Sequence, residues 1–296
     1  MDKKSTTINL GAKDGGLAFA FMIVLYVFIS FFGQVLLSAI CDAGSVAYIA
    51  LSSLFSLLSM SAVIIYFTAH NALPFRLTFI VNKFHPLSAI IAVMLAAGMF
   101  FGLGFINETF AGVFKNWGLN VSALVLPLEN FWQFILFSFT LAVLPAVIEE
   151  MFFRGLLLTA LSKVKTVYAV FTVSLVFALY HCSVAQFVYQ LVYGAALTLL
   201  AVYAKSIFPG IIVHFLNNFA VICFEYFNLS INLFNPIVIS LGLVVLCLSL
   251  TVIFLRLKRS QQKEYSAGEM KKFWLPFAVF GAAVCLAIII SNLFVV

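Results

Sequence analysis

Runs of about twenty apolar residues recur along nearly the whole chain, and each is long enough to cross a bilayer as a helix. The first runs from Leu17 to Ile40, too long for the core of a signal peptide. Further runs cover roughly 45–69, 86–106, 130–162, 166–182, 185–204, 207–228, 234–257 and 273–295. Hydrophobic residues make up 65% of the 296 and charged residues only 9%, which excludes an ordinary soluble domain. The chain reads as an all-α, polytopic transmembrane helix bundle of about nine spans, eight if one run does not cross. Residues 1–296 form a single integral membrane domain on this reading.

The charges follow that topology. With the N-terminus on the cytoplasmic side, fourteen Lys and Arg fall in inner segments and only Lys115 falls in an outer one. The net charge of +6 therefore reflects membrane orientation, and it calls for no nucleic-acid partner. An integral protein of the plasma membrane, with the lipid bilayer as its partner, is expected. Residues 256–272 form a basic cytoplasmic loop that can touch anionic headgroups. Residues 107–129 contain Asn107, Glu108, Lys115, Asn116 and Pro127, too polar to span, and are expected to lie at the interface. The run 130–162 exceeds a single crossing and contains Pro145, so a kink or a tilted, overlong helix is expected there. The five cysteines are scattered without a C-x-x-C spacing and read as small apolar residues.

Against this background, Leu144-Pro145-Ala146-Val147-Ile148-Glu149-Glu150-Met151-Phe152-Phe153-Arg154 is anomalous. A charged side chain at the bilayer centre costs about 2.5–3.5 kcal/mol on insertion scales, so intramembrane charges mark functional sites by default. Glu150 and Arg154, at i and i+4, share a helix face and can pair, whereas Glu149 points about 100° away. A buried ion pair that only fixes packing accounts for two of these residues and leaves Glu149 over. Two histidines also sit in apolar runs: His181, closing Phe177-Ala178-Leu179-Tyr180-His181, and His214, which shares a face with Asn218. Such groups find partners by converging in one water-containing cavity.

A partly desolvated glutamate is a general base toward water, an imidazole can orient that water and shuttle its proton, and a His with an Asn offers donors to an oxyanion. That set suits amide hydrolysis. It also suits a zinc or other divalent site built from Glu149, Glu150, His181 and His214, although H-E-x-x-H is absent. A G-x-S-x-G elbow is absent too, and Cys182, next to His181, points elsewhere. A regulatory protein that binds peptide or lipid in the same cavity and an ion-coupled transporter are the competing classes; the chain shows no inverted repeat to favour the transporter.

The three patterns, Glu149-Glu150-Met151-Phe152-Phe153-Arg154 (E-E-x-x-x-R), Phe177 to His181 (F-x-x-x-H) and His214 to Asn218 (H-x-x-x-N), resemble the CPBP family of intramembrane proteases, the CAAX protease and bacteriocin-processing group that includes type II CAAX prenyl endopeptidases. The resemblance covers about 130–220. It implies an endopeptidase in which Glu149 and His181 activate water, His214 and Asn218 stabilise the oxyanion, and Glu150 supports the site and pairs with Arg154. It implies as substrate a peptide or membrane-anchored protein, of the CAAX-tail, pheromone or bacteriocin-precursor kind, cut near the cytoplasmic face. The family has been described both as metalloproteases and as glutamate-dependent enzymes; the sequence favours the second and no cofactor, with zinc as the alternative. Eight spans are usual in the prenyl proteases, so a ninth is an addition at the C-terminus.

Overall fold

The computed structural model describes residues 10–119, 121, 125–257 and 267–294. Lys3, Lys4, Lys258, Arg259 and Lys263 lie outside the described residues, and with them the middle of the expected basic loop. The described chain is helical, without strands, and we label its principal helices α1 (Ala12–Ile40), α2 (Val46–His70), α3 (Pro86–Asn116), α4 (Phe131–Ala160), α5 (Thr166–Tyr180), α6 (Val184–Ala204), α7 (Phe208–Tyr226), α8 (Pro236–Leu257) and α9 (Val279–Phe294). Seven of these are long and apolar enough to cross a membrane; α5 and α9 are shorter apolar helices at the other two expected positions. The protein is a polytopic helical bundle.

Local chemistry sets the helix starts. Ser45 accepts from the backbone N–H of Tyr48, Asn130 and Gln133 form a capping box, Ser183 accepts from Gln186, and Pro86 and Pro209 occupy first turns where no N–H is needed. The segment expected to leave the bilayer after residue 106 instead continues α3 through a slight irregularity at Gly104 to Asn116, with no buried residue in that last stretch. Its polarity follows from that exposure.

Loop contacts gather the connections at two ends. At one, Thr159 donates to the Thr78 carbonyl (2.8 Å), Asn82 to that of Lys205 (3.0 Å), and Ser206 to that of Asn82 (2.9 Å). The connections gathered there carry Arg76, Lys83, Lys163, Lys165 and Lys205. At the other, the Leu126 N–H donates to Glu225 (2.9 Å), in the region that also carries Asp42 and Glu129. These are the basic and acidic ends below.

Packing is closest where side chains are smallest. Gly98 and Gly102 on α3 meet α8 so tightly that a Cβ on Gly98 would stand 2.7 Å from the Leu246 nitrogen, and Gly102 touches Gly242 backbone to backbone. This small-xxx-small contact lets two helix backbones approach in the absence of a hydrophobic driving force between them. The main core runs from Phe19, Met22 and Met60 through Phe152, Phe153 and Phe177 to Leu197 and Leu200. Around it, Phe31, Leu36, Ile65, Ile237 and Leu255 are exposed and form part of the face turned to lipid. The second half of α4 is thus wrapped by the bundle, and its charged residues are buried.

Candidate active site

The acidic pair lies between two π-helical windings of α4, Ser138–Val143 and Met151–Leu157, so the overlong run is accommodated by rewinding and not by a break. Pro145 has no N–H to offer the Leu141 carbonyl four residues earlier. The side-chain amide of Asn218, on α7, donates to that carbonyl at 3.2 Å. A proline on one helix thereby fixes an asparagine on another.

Arg154 is fully buried and its donors are well matched. Nη1 donates to Glu150 Oε1 at 2.6 Å, Nη2 to the Gly194 carbonyl at 3.1 Å, and Nε reaches Thr198 Oγ1 at 3.4 Å. Its guanidinium also lies 4.5 Å from the centre of the Phe177 ring, a cation–π contact. An ion pair enclosed in this way is strongly destabilised by loss of one partner, by about 3–5 kcal/mol, because the other charge remains buried.

Glu150 Oε1 serves a second partner. His214 Nδ1 stands 3.1 Å from it. A carboxylate only accepts, so Nδ1 carries the proton and donates, which leaves Nε2 as the nitrogen facing Glu149. Glu149 Oε2 lies 3.7 Å from that Nε2, too far for a hydrogen bond, and has no hydrogen-bonding partner although the residue is only 6% exposed. Glu150 Oε2 is likewise unpartnered and sits against Gly210 of α7, where a Cβ would come within 2.8 Å of it. The pair is therefore asymmetric. Glu150 is held by Arg154 and His214, and Glu149 keeps an unsatisfied oxygen beside an imidazole.

His181 joins through Phe177. Its Nδ1 donates to the Phe177 carbonyl at 2.8 Å, leaving Nε2 without that proton, and the two rings stand 4.6 Å apart. The same Phe177 ring lies 6.1 Å, edge to face, from His214. The phenylalanine of the F-x-x-x-H pattern thus lies against both histidines and the arginine. Asn218 shares its Oδ1 with Asn217 (3.4 Å), which accepts from the Tyr189 hydroxyl (2.7 Å).

The structure thus brings Glu149, Glu150, Arg154 and His214 into direct interaction, with His181 across Phe177 and Asn218 one turn beyond His214. Three tyrosines were not singled out from the sequence. Tyr180 interacts with Glu149, Tyr193 lies 6.0 Å from the His214 ring, and Tyr189 stacks on Tyr193. Tyr189 and Tyr193 are i,i+4 phenols in an apolar span, a signal comparable to that of His214 and Asn218.

Helix lengths set the depth of the site. Glu149 is eleven residues from Ala160, about 16 Å along the helix, and His214 is six from Phe208, about 9 Å. His181 follows the far end of the fifteen-residue α5, about 22 Å from its start. Their meeting point lies near mid-bundle, with the His181 side turned toward the acidic end. The placement follows from helix lengths that charge counting does not register.

Among the described residues no group of three or more His, Cys, Asp or Glu is placed to hold an ion. Comparison with known proteins bears on the same region. Residues 131–220 match the family model described as type II CAAX prenyl endopeptidase Rce1-like. No curated protein and no solved structure matches. The matched segment contains all three patterns, and over this core the chain is similar to type II CAAX prenyl endopeptidases.

Proposed function

We propose that the protein is a glutamate-dependent intramembrane endopeptidase that hydrolyses a peptide bond in a membrane-associated protein or peptide precursor, with its basic end in the cytoplasm and the plasma membrane as its location. One observation carries the reading: Glu149 presents an unpartnered, buried carboxylate oxygen to His214 Nε2, while Glu150, itself held by Arg154, holds the other side of that imidazole. A water between Glu149 and His181 has a base in Glu149 and a second acceptor in His181 Nε2.

The charges balance through the reaction. With His214 as imidazolium, Glu149 and Glu150 offset Arg154 and His214. Glu149 takes a proton from water as the oxygen bonds to the scissile carbonyl carbon, so the negative charge moves from Glu149 to the carbonyl oxygen. His214 Nε2–H and the second N–H of Asn218 donate to that oxyanion. Protonated Glu149 then gives its proton to the departing amine, the C–N bond breaks, and the carboxylate is restored. Preorganised donors of this type typically contribute ~10²–10³ in rate each. No step requires a metal.

The test is cleavage of a peptide library, including C-terminal CAAX-type tails, by the purified protein in detergent. Wild type is expected to cleave with and without a strong chelator, and Glu149→Gln to be inactive while melting at or above the wild-type temperature, since it removes a buried, half-satisfied carboxylate. An active Glu149→Gln protein, or activity lost to chelator and restored by a divalent ion, overturns the glutamate mechanism.

A further inference from the structure

The hydrogen bonds that end at Asn218 run in one direction. On α6 the Tyr189 hydroxyl, in a residue only 4% exposed, donates to Asn217 Oδ1 at 2.7 Å. Asn217 Nδ2 donates to Asn218 Oδ1 at 3.4 Å, the longest link of the chain, and Asn218 Nδ2 donates to the Leu141 carbonyl at 3.2 Å. A carboxamide has two N–H groups, so Asn218 keeps one beyond the Leu141 bond, the one assigned to the oxyanion. Asn217 and Asn218 follow His214 at i+3 and i+4, one turn along α7 from it.

A hydroxyl that donates to an amide inside a membrane bundle needs no further task than satisfying two polar groups. Two features go beyond that. The Leu141 bond alone fixes one atom of the Asn218 amide and leaves its plane free to turn about that contact; a second tie, at Oδ1, fixes the plane and with it the direction of the remaining N–H. Each donation to a carboxamide oxygen also draws charge from the NH2 at its other end, so the bonds strengthen one another toward Asn218. The Tyr189 ring has a second connection: it stacks on Tyr193 at 5.7 Å, and Tyr193 stands edge-on to the His214 ring at 6.0 Å. One residue of α6 therefore reaches both groups that serve the oxyanion, through one intermediary each.

We propose that Tyr189 is a positioning residue for the oxyanion site: its hydroxyl, acting through Asn217, holds the Asn218 carboxamide so that the remaining N–H points to where the scissile carbonyl oxygen becomes negative. The inference rests on the endopeptidase reading and deepens it by naming a residue outside the three sequence patterns on which the rate depends. Tyr189 does not touch the substrate on this account. It contributes to kcat and leaves KM alone, because the donation it directs strengthens only as charge develops on the carbonyl oxygen.

The experiment measures kcat and KM of the purified full-length protein in detergent, on the peptide that wild type cleaves. Tyr189→Phe keeps the ring and its stack on Tyr193 and removes one oxygen; kcat is expected to fall ~10–10²-fold, the cost of a displaced catalytic donor, with KM within about twofold of wild type. In an Asn218→Ala background the same substitution is expected to change kcat by less than about twofold, since the group it positions is gone. An unchanged kcat in Tyr189→Phe overturns the proposal, and so does an equal loss in both backgrounds, which places the effect elsewhere than Asn218. Tyr189→Phe combined with Asn217→Leu removes the buried polar pair together and guards against a failure to fold. It is expected to melt within a few degrees of wild type and to keep the loss of kcat; recovery of the wild-type kcat reduces the relay to helix packing and overturns the positioning role. The two readings fail separately. A wild type that cleaves peptide while Tyr189→Phe cleaves equally well removes only the positioning role, whereas a wild type that cleaves no peptide removes the endopeptidase reading, and the role falls with it.

Discussion

Glu150 is assigned two tasks, neutralising Arg154 and orienting the His214 ring, and a double substitution separates them. Glu150→Leu alone leaves a fully buried guanidinium without its 2.6 Å carboxylate, and Arg154→Met alone leaves the carboxylate with only His214. Each is expected to cost about 3–5 kcal/mol. At ~2–4 °C per kcal/mol for a chain of this order, the melting temperature should fall by roughly 6–20 °C. The pair Glu150→Leu with Arg154→Met removes both charges, and the Gly194 carbonyl that Arg154 relinquishes still accepts from Thr198 at 2.7 Å. Replacement of a buried ion pair by apolar residues is often neutral or stabilising by ~1–4 kcal/mol, so the double variant should recover most of the lost stability. It should not recover activity. His214 Nδ1 then has no acceptor at 3.1 Å, the imidazolium loses the carboxylate that orients it, and much of the ~10²–10⁴ owed to positioned acid–base groups is lost. Thermal melts in detergent beside single-turnover cleavage give both readings on one sample. A double variant that melts like wild type and cleaves like wild type would refute the positioning role and leave Glu150–Arg154 as a packing device.

Three further outcomes follow from close contacts. Gly210→Ala places a methyl 2.8 Å from Glu150 Oε2 and must rotate that carboxylate away from His214; a stability loss of about 1–3 kcal/mol with a larger fall in kcat than in substrate affinity is expected, and unchanged kinetics would count against the contact. Asn218→Ala loses one hydrogen bond to the Leu141 carbonyl, about 0.5–1.5 kcal/mol of stability, but a full oxyanion donor, ~10²–10³ in kcat; equal small effects on melting and rate would assign Asn218 to structure alone. Gly102→Val separates α3 from α8, remote from Glu149, and should lower the melting temperature while the remaining folded protein keeps its kcat.

The parts of this architecture that follow from local pattern could be read from the sequence. Apolar runs gave the helices, and the i,i+4 spacing gave the Glu150–Arg154 pair, because both depend on a single helix. What escaped depends on two. Which of Glu149 and Glu150 is held by charged partners is decided by Arg154 reaching Gly194 and Thr198 on α6 and by His214 entering from α7. The π windings that flank the pair arise where α4 must fit its neighbours, and no residue type announces them. The depth of the site reflects the length of α5 relative to the helices around it, which a window of hydropathy does not register.

A common cause links these surprises. In a bilayer, carbonyls freed at helix irregularities must be satisfied within the protein, by a neighbouring helix or by a side chain in the same last turn. Pro145 releases the Leu141 carbonyl and Asn218 of α7 takes it; α5 ends at His181, whose own Nδ1 donates to the Phe177 carbonyl. The supporting hydrogen bonds of the site are thus the repairs of its own helix breaks. Side chains held in this way have little freedom to reorient, which is the condition under which a carboxylate oxygen left without a partner stays poised toward one imidazole.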